Sequence, residues 1–357
     1  MLVGLRELLA IDKDNILELD ILFIAGDLFD SALWFSNEDV SHILLFMREL
    51  MAWCEKFKIR LRVLEGTPSH DRGQSRNLLP ISKTFFNLDF RYIETMCVEG
   101  FEDLGLTCLY VPDEFGGSAL KSQELIKSEL DSIGYEKVDI AIMHGMFKYQ
   151  VPEVGSDRFK YDEYFFLDRV RYFINIGHVH IFSTFQRIIA QGSTDRISHG
   201  EEKPKGGCLQ VLDPSRGNSF YFIQNKKACI FTTIHVKQKD VDKALAVIEK
   251  RVSNLPSFSH VRIKASRDNQ ILNIYDMINK KFPTIFFTKL TEEDEEEKNS
   301  LLSKKDLLDI NYTPLQVTKD NITKMLLDEV KKRYSFQGTY MEKLESKLKL
   351  ILKEMAK

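Results

Sequence analysis

Four histidines and one aspartate stand at the ends of short apolar runs that have the composition of buried strands. Asp27 follows the run Ile21–Ala25 after a single glycine, Gly26. The histidines follow three later runs and are His70, His144, His178 and His180. Because open α/β sheets bind ligands at the carboxyl ends of their strands, we expect these five side chains to meet at one edge. A single histidine after a strand is usually structural, whereas four beside an aspartate indicate a functional site.

Imidazole nitrogens and a carboxylate able to bridge two cations predict a site for two divalent metal ions. This mixture of ligands favours Mn²⁺ or Fe²⁺ over Mg²⁺. Two such ions about 3.5–4 Å apart activate water and hold the attacking and leaving oxygens of a phosphate. His178 and His180 would face opposite ways in a strand, so they must lie in a turn for both to bind metal. Asp30 and Asp71 are candidates for orienting the ligands through hydrogen bonds.

The composition limits the class of protein. Of 357 residues, 43% are hydrophobic and 29% are charged, and the formal net charge of −3 neither requires nor excludes a nucleic-acid partner. The five cysteines form no CxxC pair, so we expect reduced thiols in a cytoplasmic protein. No apolar run approaches a membrane span, and charged residues among the first leucines argue against a secretory signal. Walker-type glycine loops and the GxSxG motif are absent from the sequence.

The periodicity of the apolar residues predicts a layered α/β domain in which strands and helices alternate. Helices are expected over residues 2–19, 36–57, 78–87 and 118–133, with a break near Asp14 and Asn15 as the alternative for the first of them. Strands are expected over 21–25, 61–64, 90–93, 106–111, 138–143 and 172–176, followed by short strands within 184–190, 206–212 and 220–223.

A change of pattern near residue 226 divides the chain further. We assign residues 1–225 to the main domain and 226–290 to a small α/β domain. Residues 291–317 include the run EEDEEEK and are expected to be an acidic linker. Residues 318–357 are expected to form a helical tail. Within it, apolar residues recur at the spacing of a seam for a partner helix, with folding back onto the chain's own domain as the alternative: Met341, Leu344, Leu348, Ile351 and Met355.

Four motifs resemble, in type and order, those of the calcineurin-like metallophosphoesterases: GDLFD at Gly26–Asp30, HD at His70–Asp71, HG at His144–Gly145 and GHVH at Gly177–His180. More narrowly, the chain resembles the nuclease subunit of the SbcC–SbcD type, a family of double-strand-break repair nucleases that pair with an SMC-like ATPase. The narrower resemblance rests on the QGSTDR segment at Gln191–Arg196 and the strand at Cys208–Leu212. It rests also on the unit at 226–290, where that family carries a DNA-capping domain.

The resemblance implies a metallophosphoesterase sandwich, with two sheets flanked by helices, and Mn²⁺-dependent hydrolysis of DNA by exonuclease and endonuclease action. It implies that Asp27 bridges two metal ions, with His144 and His178 on one ion and His180 on the other. His70 would stabilise the transition state or protonate the leaving group. The implied partners are DNA, an SbcC-like ATPase of the SMC family and a second copy of the chain in a homodimer.

Two departures from the family pattern bear on activity. The family's Asp-x-His motif after its first strand is missing from this sequence, and we expect about 15–30 upstream residues to carry it. The family's GNHD loop supplies an asparagine ligand, whereas Thr67, Pro68 and Ser69 stand between Gly66 and His70. We therefore expect weak or absent nuclease activity from this polypeptide alone.

Two other functions stay open. One is a phosphodiesterase or phosphatase of the same superfamily that acts on small molecules, for which the QGSTDR segment and the 226–290 unit would be unnecessary. The other is a non-catalytic scaffold that keeps the fold and the partner contacts around a degraded metal site.

Overall fold

The computed structural model of the chain describes residues 2–11, 17–34, 38–113, 117–150, 159–201, 203–213, 215–237, 240–267, 269–272, 275–291 and 347. The chain divides into two compact units, Met1–Glu293 and Asp294–Lys357. Apart from Thr291 and Lys347, the expected acidic linker and helical tail lie outside the described residues. The helices and strands of the described residues from Leu2 to Thr291 all belong to the first unit.

The described part of the chain is α/β. Its helices are α1 (Leu2–Leu9), α2 (Glu38–Phe57), α3 (Leu78–Phe85), α4 (Ala119–Ser132), α5 (Glu163–Arg169), α6 (Val241–Val252) and α7 (Tyr275–Lys281). Its strands are β1 (Ile21–Ala25), β2 (Arg60–Leu64), β3 (Phe90–Ile93), β4 (Cys97–Phe101), β5 (Leu106–Val111), β6 (Val138–Gly145), β7 (Val170–His178), β8 (Ser183–Phe185), β9 (Ile188–Ala190), β10 (Gly206–Val211), β11 (Ser219–Gln224), β12 (Phe231–His235), β13 (His260–Ala265) and β14 (Phe286–Thr291). None of the described helices is both long and apolar enough to cross a membrane.

The first sheet consists of β1, β2 and β3, which run parallel in that order. Alternate residues of a strand face opposite sides of its sheet. Leu61 and Val63 on β2 accordingly pack with the apolar side of α2, including Met47 and Met51, whereas Leu64 joins the cluster on the opposite side. The sheet therefore has a helical layer on one face and a second apolar face available for packing.

The second sheet has six strands in the order β4-β5-β6-β7-β9-β8. Strands β5, β6, β7 and β9 run parallel, and β4 and β8 are antiparallel to their neighbours at the two edges. Strand β6 is buried along its whole length. Its residues Ala141 and Met143 pack with α4 and α5, whereas Ile140 and Ile142 pack toward the first sheet. Alternation along this one strand thus contributes to two separate apolar layers.

The two sheets face each other across a shared core. One cluster of buried side chains draws Leu64 and Ile93 from the first sheet and Tyr110 and Ile142 from the second. The outer faces carry α2 on one side and α4 with α5 on the other. The expected arrangement of two sheets flanked by helices is therefore present in the described residues.

Two smaller sheets follow. Strands β10 and β11 form an antiparallel pair, and β12, β13 and β14 form a parallel sheet. The parallel sheet packs one face on α6 and α7 through a core that includes Ile234, Ile248, Ile263 and Ile278. Apart from Thr291, the parallel sheet and its two helices lie within residues 226–290, which were expected to form a small α/β domain, whereas β10 and β11 precede them.

Three features of the fold differ from the sequence-based expectation. The helix expected over 2–19 ends earlier than the expected break near Asp14, because α1 ends at Leu9 and Ala10 takes a left-handed conformation with φ of 53°. Strand β4 was not expected, since it is short and only half-buried. Helix α5 was also missed. Its N-terminal cap is Asp162, whose Oδ1 accepts hydrogen bonds of 3.1 Å from the N–H groups of both Tyr164 and Phe165.

Candidate metal site

The candidate site lies where the carboxyl ends of strands from the two facing sheets meet. In the first sheet Ala25 at the end of β1 is opposite Leu64 at the end of β2. In the second sheet His144 on β6 is opposite Gly177 on β7. Strand β1 contacts both β6 and β7. The histidines expected just after these strands are in fact within them, His144 next to the last residue of β6 and His178 at the end of β7.

Glycines at the strand ends allow this close approach. A Cβ atom on Gly177 would lie 2.1 Å from the carbonyl oxygen of Ala25, and one on Gly66 would lie 2.1 Å from the backbone nitrogen of Asp27. Gly26 has a φ of 80°, and a Cβ there would meet the ring of His144 at 2.2 Å. A side chain at Gly26 or Gly177 would push the two sheets apart at the site, and one at Gly66 would separate the turns that follow β1 and β2.

Asp27 is the central carboxylate of the site. Its Oδ2 lies 3.2 Å from Nε2 of His144 and 3.4 Å from Nδ1 of His70, and its Oδ1 accepts a 2.8 Å hydrogen bond from the N–H of Thr67. Burial raises the pKa of Asp27, but the hydrogen bond and the charge of His144 lower it by more, so the pKa lies well below its ordinary range. The carboxylate is therefore ionised and ready to bind a cation.

His144 is fully buried, and a hydrogen bond on the side of its ring away from Asp27 fixes its orientation. Its Nδ1–H donates a 2.7 Å hydrogen bond to the carbonyl oxygen of Ala25, which leaves Nε2 directed at Asp27. Burial lowers the pKa of His144, and the hydrogen bond and charge of Asp27 raise it by more. Metal-binding histidines commonly have their second nitrogen held in this way.

His178 completes a group of three. Its ring stands nearly perpendicular to that of His144, with centroids 5.3 Å apart, and its backbone φ of 95° turns the chain at the end of β7. Asp27, His144 and His178 each offer one ligand atom, and these atoms all lie within 4.8 Å of one another. The group could hold one metal ion, because two imidazole nitrogens and a carboxylate oxygen form a ligand set common to divalent transition metals.

Thr67 was not expected at the site, yet its hydroxyl lies among the three ligand atoms. Thr67 Oγ1 is 3.1 Å from His178 Nδ1, 3.3 Å from His144 Nε2 and 3.4 Å from Asp27 Oδ2. No local sequence pattern indicates this placement, because it depends on how the loop after β2 meets the strand ends of the facing sheet.

Asp71 orders the loops that carry the ligands. It is fully buried, and its carboxylate accepts hydrogen bonds from the N–H groups of Asp27 (2.9 Å), Phe29 (3.0 Å) and Gly66 (2.8 Å). Burial raises the pKa of Asp71, although the bonds from Phe29 and Gly66 act in the opposite direction. Asp30, the other residue considered for this task, is exposed.

His70 lies at the accessible side of the site. Its side chain is 38% exposed, compared with 15% for Asp27, and the 3.4 Å contact with Asp27 Oδ2 places its ring beside the central carboxylate. His70 is thus close to the ligand group and more accessible to solvent than Asp27.

His180 belongs to a neighbouring cluster and is not one of the three grouped ligands. Its Nδ1 lies 3.4 Å from Oε1 of Glu201, and its carbonyl oxygen accepts a 2.8 Å hydrogen bond from the buried ammonium of Lys205. Lys205 also donates to Glu201 and Ser193. Burial raises the pKa of Glu201, but the hydrogen bonds from Lys205 and Ser198 lower it by more. The described residues thus supply one three-ligand group, and a second ion expected on His180 has no such group.

Comparison with protein-family models and with curated proteins gives no match for this sequence. The fold and the site together define an α/β protein with a candidate site for one metal ion between two facing sheets.

Proposed function

We propose that this chain is a metal-dependent nuclease of the metallophosphoesterase type, which hydrolyses phosphodiester bonds in DNA during double-strand-break repair or recombination. The observation that carries the proposal is the meeting of Asp27, His144 and His178 at the strand ends of two facing sheets. The order of the motifs along the sequence, which resembles the SbcD-type nuclease subunits, supports the same assignment. An SMC-like ATPase is the partner that this resemblance implies.

The residues of the site divide the work between binding and proton transfer. Asp27, His144 and His178 would hold the cation, with Mn²⁺ favoured by the mixed nitrogen and oxygen donors. A bound divalent cation lowers the pKa of a coordinated water and neutralises charge on the phosphate. His70, beside Asp27 and partly exposed, is placed to donate a proton to the leaving oxygen.

A second surface supports a polynucleotide substrate over a small molecule. Phe231, His260 and Phe286 lie side by side on the face of the β12–β14 sheet opposite α6, with ring centroids 4.3 Å and 4.9 Å apart. Arg262 and Lys264 follow on the same face by strand alternation. Aromatic rings beside cationic side chains are typical of surfaces that bind nucleic-acid strands.

The proposal is tested with linear duplex DNA and a chromogenic phosphodiester, each with Mn²⁺. We expect slow, Mn²⁺-dependent cleavage of DNA that disappears in Asp27→Ala. The matched control is Asp20→Ala, which removes an exposed carboxylate at the opposite end of the same strand and should leave cleavage unchanged. Cleavage of the chromogenic ester alone would instead indicate a small-molecule phosphodiesterase.

One observation favours a second candidate, a non-catalytic scaffold subunit. His180 contacts Glu201 and is not among the three grouped ligands, so the described residues offer ligands for one ion where the proposed chemistry commonly uses two. A chain that binds Mn²⁺ but cleaves neither substrate would support the scaffold over the nuclease.

A further inference from the structure

We propose that the side-chain hydroxyl of Thr67 is a fourth protein ligand for the divalent cation of the candidate site. The inference rests on the metal site of the proposed function, and it adds a residue that the sequence did not point to. It also specifies the donor set as two imidazole nitrogens, one carboxylate oxygen and one neutral oxygen.

The distances around the hydroxyl are those between ligands of one ion. Two atoms bound about 2.1 Å from the same cation are about 3.0 Å apart at adjacent corners of an octahedron and about 3.4 Å apart in a tetrahedron. Thr67 Oγ1 lies 3.1, 3.3 and 3.4 Å from the three ligand atoms. The separation between Asp27 Oδ2 and His144 Nε2 is 3.2 Å, in the same range.

The backbone holds Thr67 in this position. Its N–H donates to Oδ1 of Asp27 at 2.8 Å, and the preceding N–H of Gly66 donates to the buried carboxylate of Asp71. The hydroxyl therefore reaches the ligand group from a fixed turn, and little reorganisation is needed to place it on a cation. Threonine and serine hydroxyls bind Mg²⁺ directly in phosphate-binding loops, so the chemistry is available to this side chain.

The first experiment measures Mn²⁺ affinity of the full chain by electron paramagnetic resonance of free Mn²⁺. Thr67→Val keeps the shape of the side chain and removes the hydroxyl, and we expect about a tenfold or greater loss of affinity. Thr67→Ser keeps the hydroxyl and should stay near the original affinity. Thr107→Val is the matched control. The hydroxyl of Thr107, at the start of β5, also donates to a carboxylate, that of Asp139, but it is not part of the candidate site.

The second experiment separates a ligand from a merely structural hydroxyl. Thr67→Cys places a thiol at the same position, and thiolates favour soft cations. We expect Cd²⁺ added to this variant to produce a thiolate-to-metal absorption band in the ultraviolet that the original chain lacks. A side chain that only shapes the turn would produce no such band. This measurement also decides the matter if Thr67→Val does not fold.

The outcomes distinguish this inference from the proposal on which it rests. If the original chain binds no Mn²⁺, or binds it equally well as Asp27→Ala, both the metal site and the role of Thr67 are wrong. If Asp27→Ala abolishes binding while Thr67→Val leaves it unchanged, the metal site stands and Thr67 is not a ligand. A folded Thr67→Cys variant without the Cd²⁺ band would equally overturn the inference.

Discussion

At the scale of single residues, Asp71 determines the geometry of the site although it offers no ligand atom. Its carboxylate accepts three backbone N–H groups from the loops after β1 and β2. Without this carboxylate the three N–H groups would lose their hydrogen-bond acceptor, and buried donors without an acceptor lower the free energy of unfolding. The residue therefore joins the Asp27 turn to the Gly66 turn.

We expect Asp71→Asn to lower the free energy of unfolding by about 2–3 kcal/mol, because the amide NH₂ group replaces one acceptor and faces backbone donors. The loss should appear as a lower urea midpoint at neutral pH. Asp30→Asn, at an exposed position in the loop after β1, is the control and should leave the midpoint unchanged. Equal midpoints for Asp71→Asn and the original chain would contradict the role assigned to Asp71.

His70 offers a second test at this scale. We expect His70→Asn to lower the rate of Mn²⁺-dependent DNA cleavage by about 10²–10⁴-fold, the usual contribution of a positioned proton donor. Mn²⁺ affinity should change little, since His70 is not among the three grouped ligands. Rate and affinity falling together would instead identify His70 as a ligand.

At the scale of elements, the strand-end glycines control how closely the two sheets approach. We expect Gly177→Ala to lower the free energy of unfolding by about 1–3 kcal/mol and to weaken Mn²⁺ binding, because its Cβ would overlap the Ala25 carbonyl of the facing sheet. Gly100→Ala on β4 is the control, since a Cβ there meets nothing within 4 Å. Urea unfolding and Mn²⁺ titration of both variants provide the measurement, and equal effects would contradict the steric account.

Most residues of the site could be predicted from the sequence because strand ends have a local signature. An apolar run, a glycine and a histidine or aspartate locate Asp27, His144 and His178 without knowledge of the fold. The positions of Thr67 and His180 depend instead on how separate loops meet, which no local pattern encodes. Strand β4 and helix α5 were missed because one is a half-buried edge and the other is only 7 residues long. The contact of His180 with Glu201 and Lys205 could not be predicted either, because both residues lie more than 20 positions further along the chain.

At the scale of the whole molecule, one buried ion pair joins the two sheets of the sandwich. Arg62 on β2 is 3% exposed and donates from Nε and Nη2 to Glu99 on β4 at 3.0 Å. Glu99 also accepts a 2.7 Å hydrogen bond from Tyr110 on β5. Burial raises the pKa of Glu99, but the hydrogen bonds from Arg62 and Tyr110 lower it by more.

This lowered pKa has a defined consequence for stability. A carboxylate whose pKa is lower in the folded than in the unfolded chain stabilises the fold above its unfolded pKa of about 4.3, and the contribution is lost as the pH falls through the folded value. We expect Glu99→Gln to be about 2–3 kcal/mol less stable at pH 7, with Asp89 partly compensating the charge of Arg62. The difference should shrink below about pH 4 in urea unfolding. A difference independent of pH would contradict the ion pair.

The separate core of the β12–β14 sheet predicts that the molecule unfolds unevenly. Ile263 is buried within that core, and we expect Ile263→Ala to cost about 2–4 kcal/mol. Hydrogen exchange should increase in β12–β14 while β6 and β7 stay protected, and Mn²⁺ affinity should not change. Loss of protection in β6 and β7 to the same extent would show that the two parts unfold together.

The left-handed backbone at two residues of the candidate metal site lowers the stability of the fold while it positions their side chains. Asp27 and His178 have φ values of 51° and 95°, a conformation that suits glycine better than other residues. Their side chains are thus retained against the preference of their own backbone. We therefore expect the free energy of unfolding of His178→Gly to exceed that of His178→Ala by about 1 kcal/mol, although both variants lose the imidazole. This difference measures the stability that the chain loses by having a residue other than glycine at the end of β7.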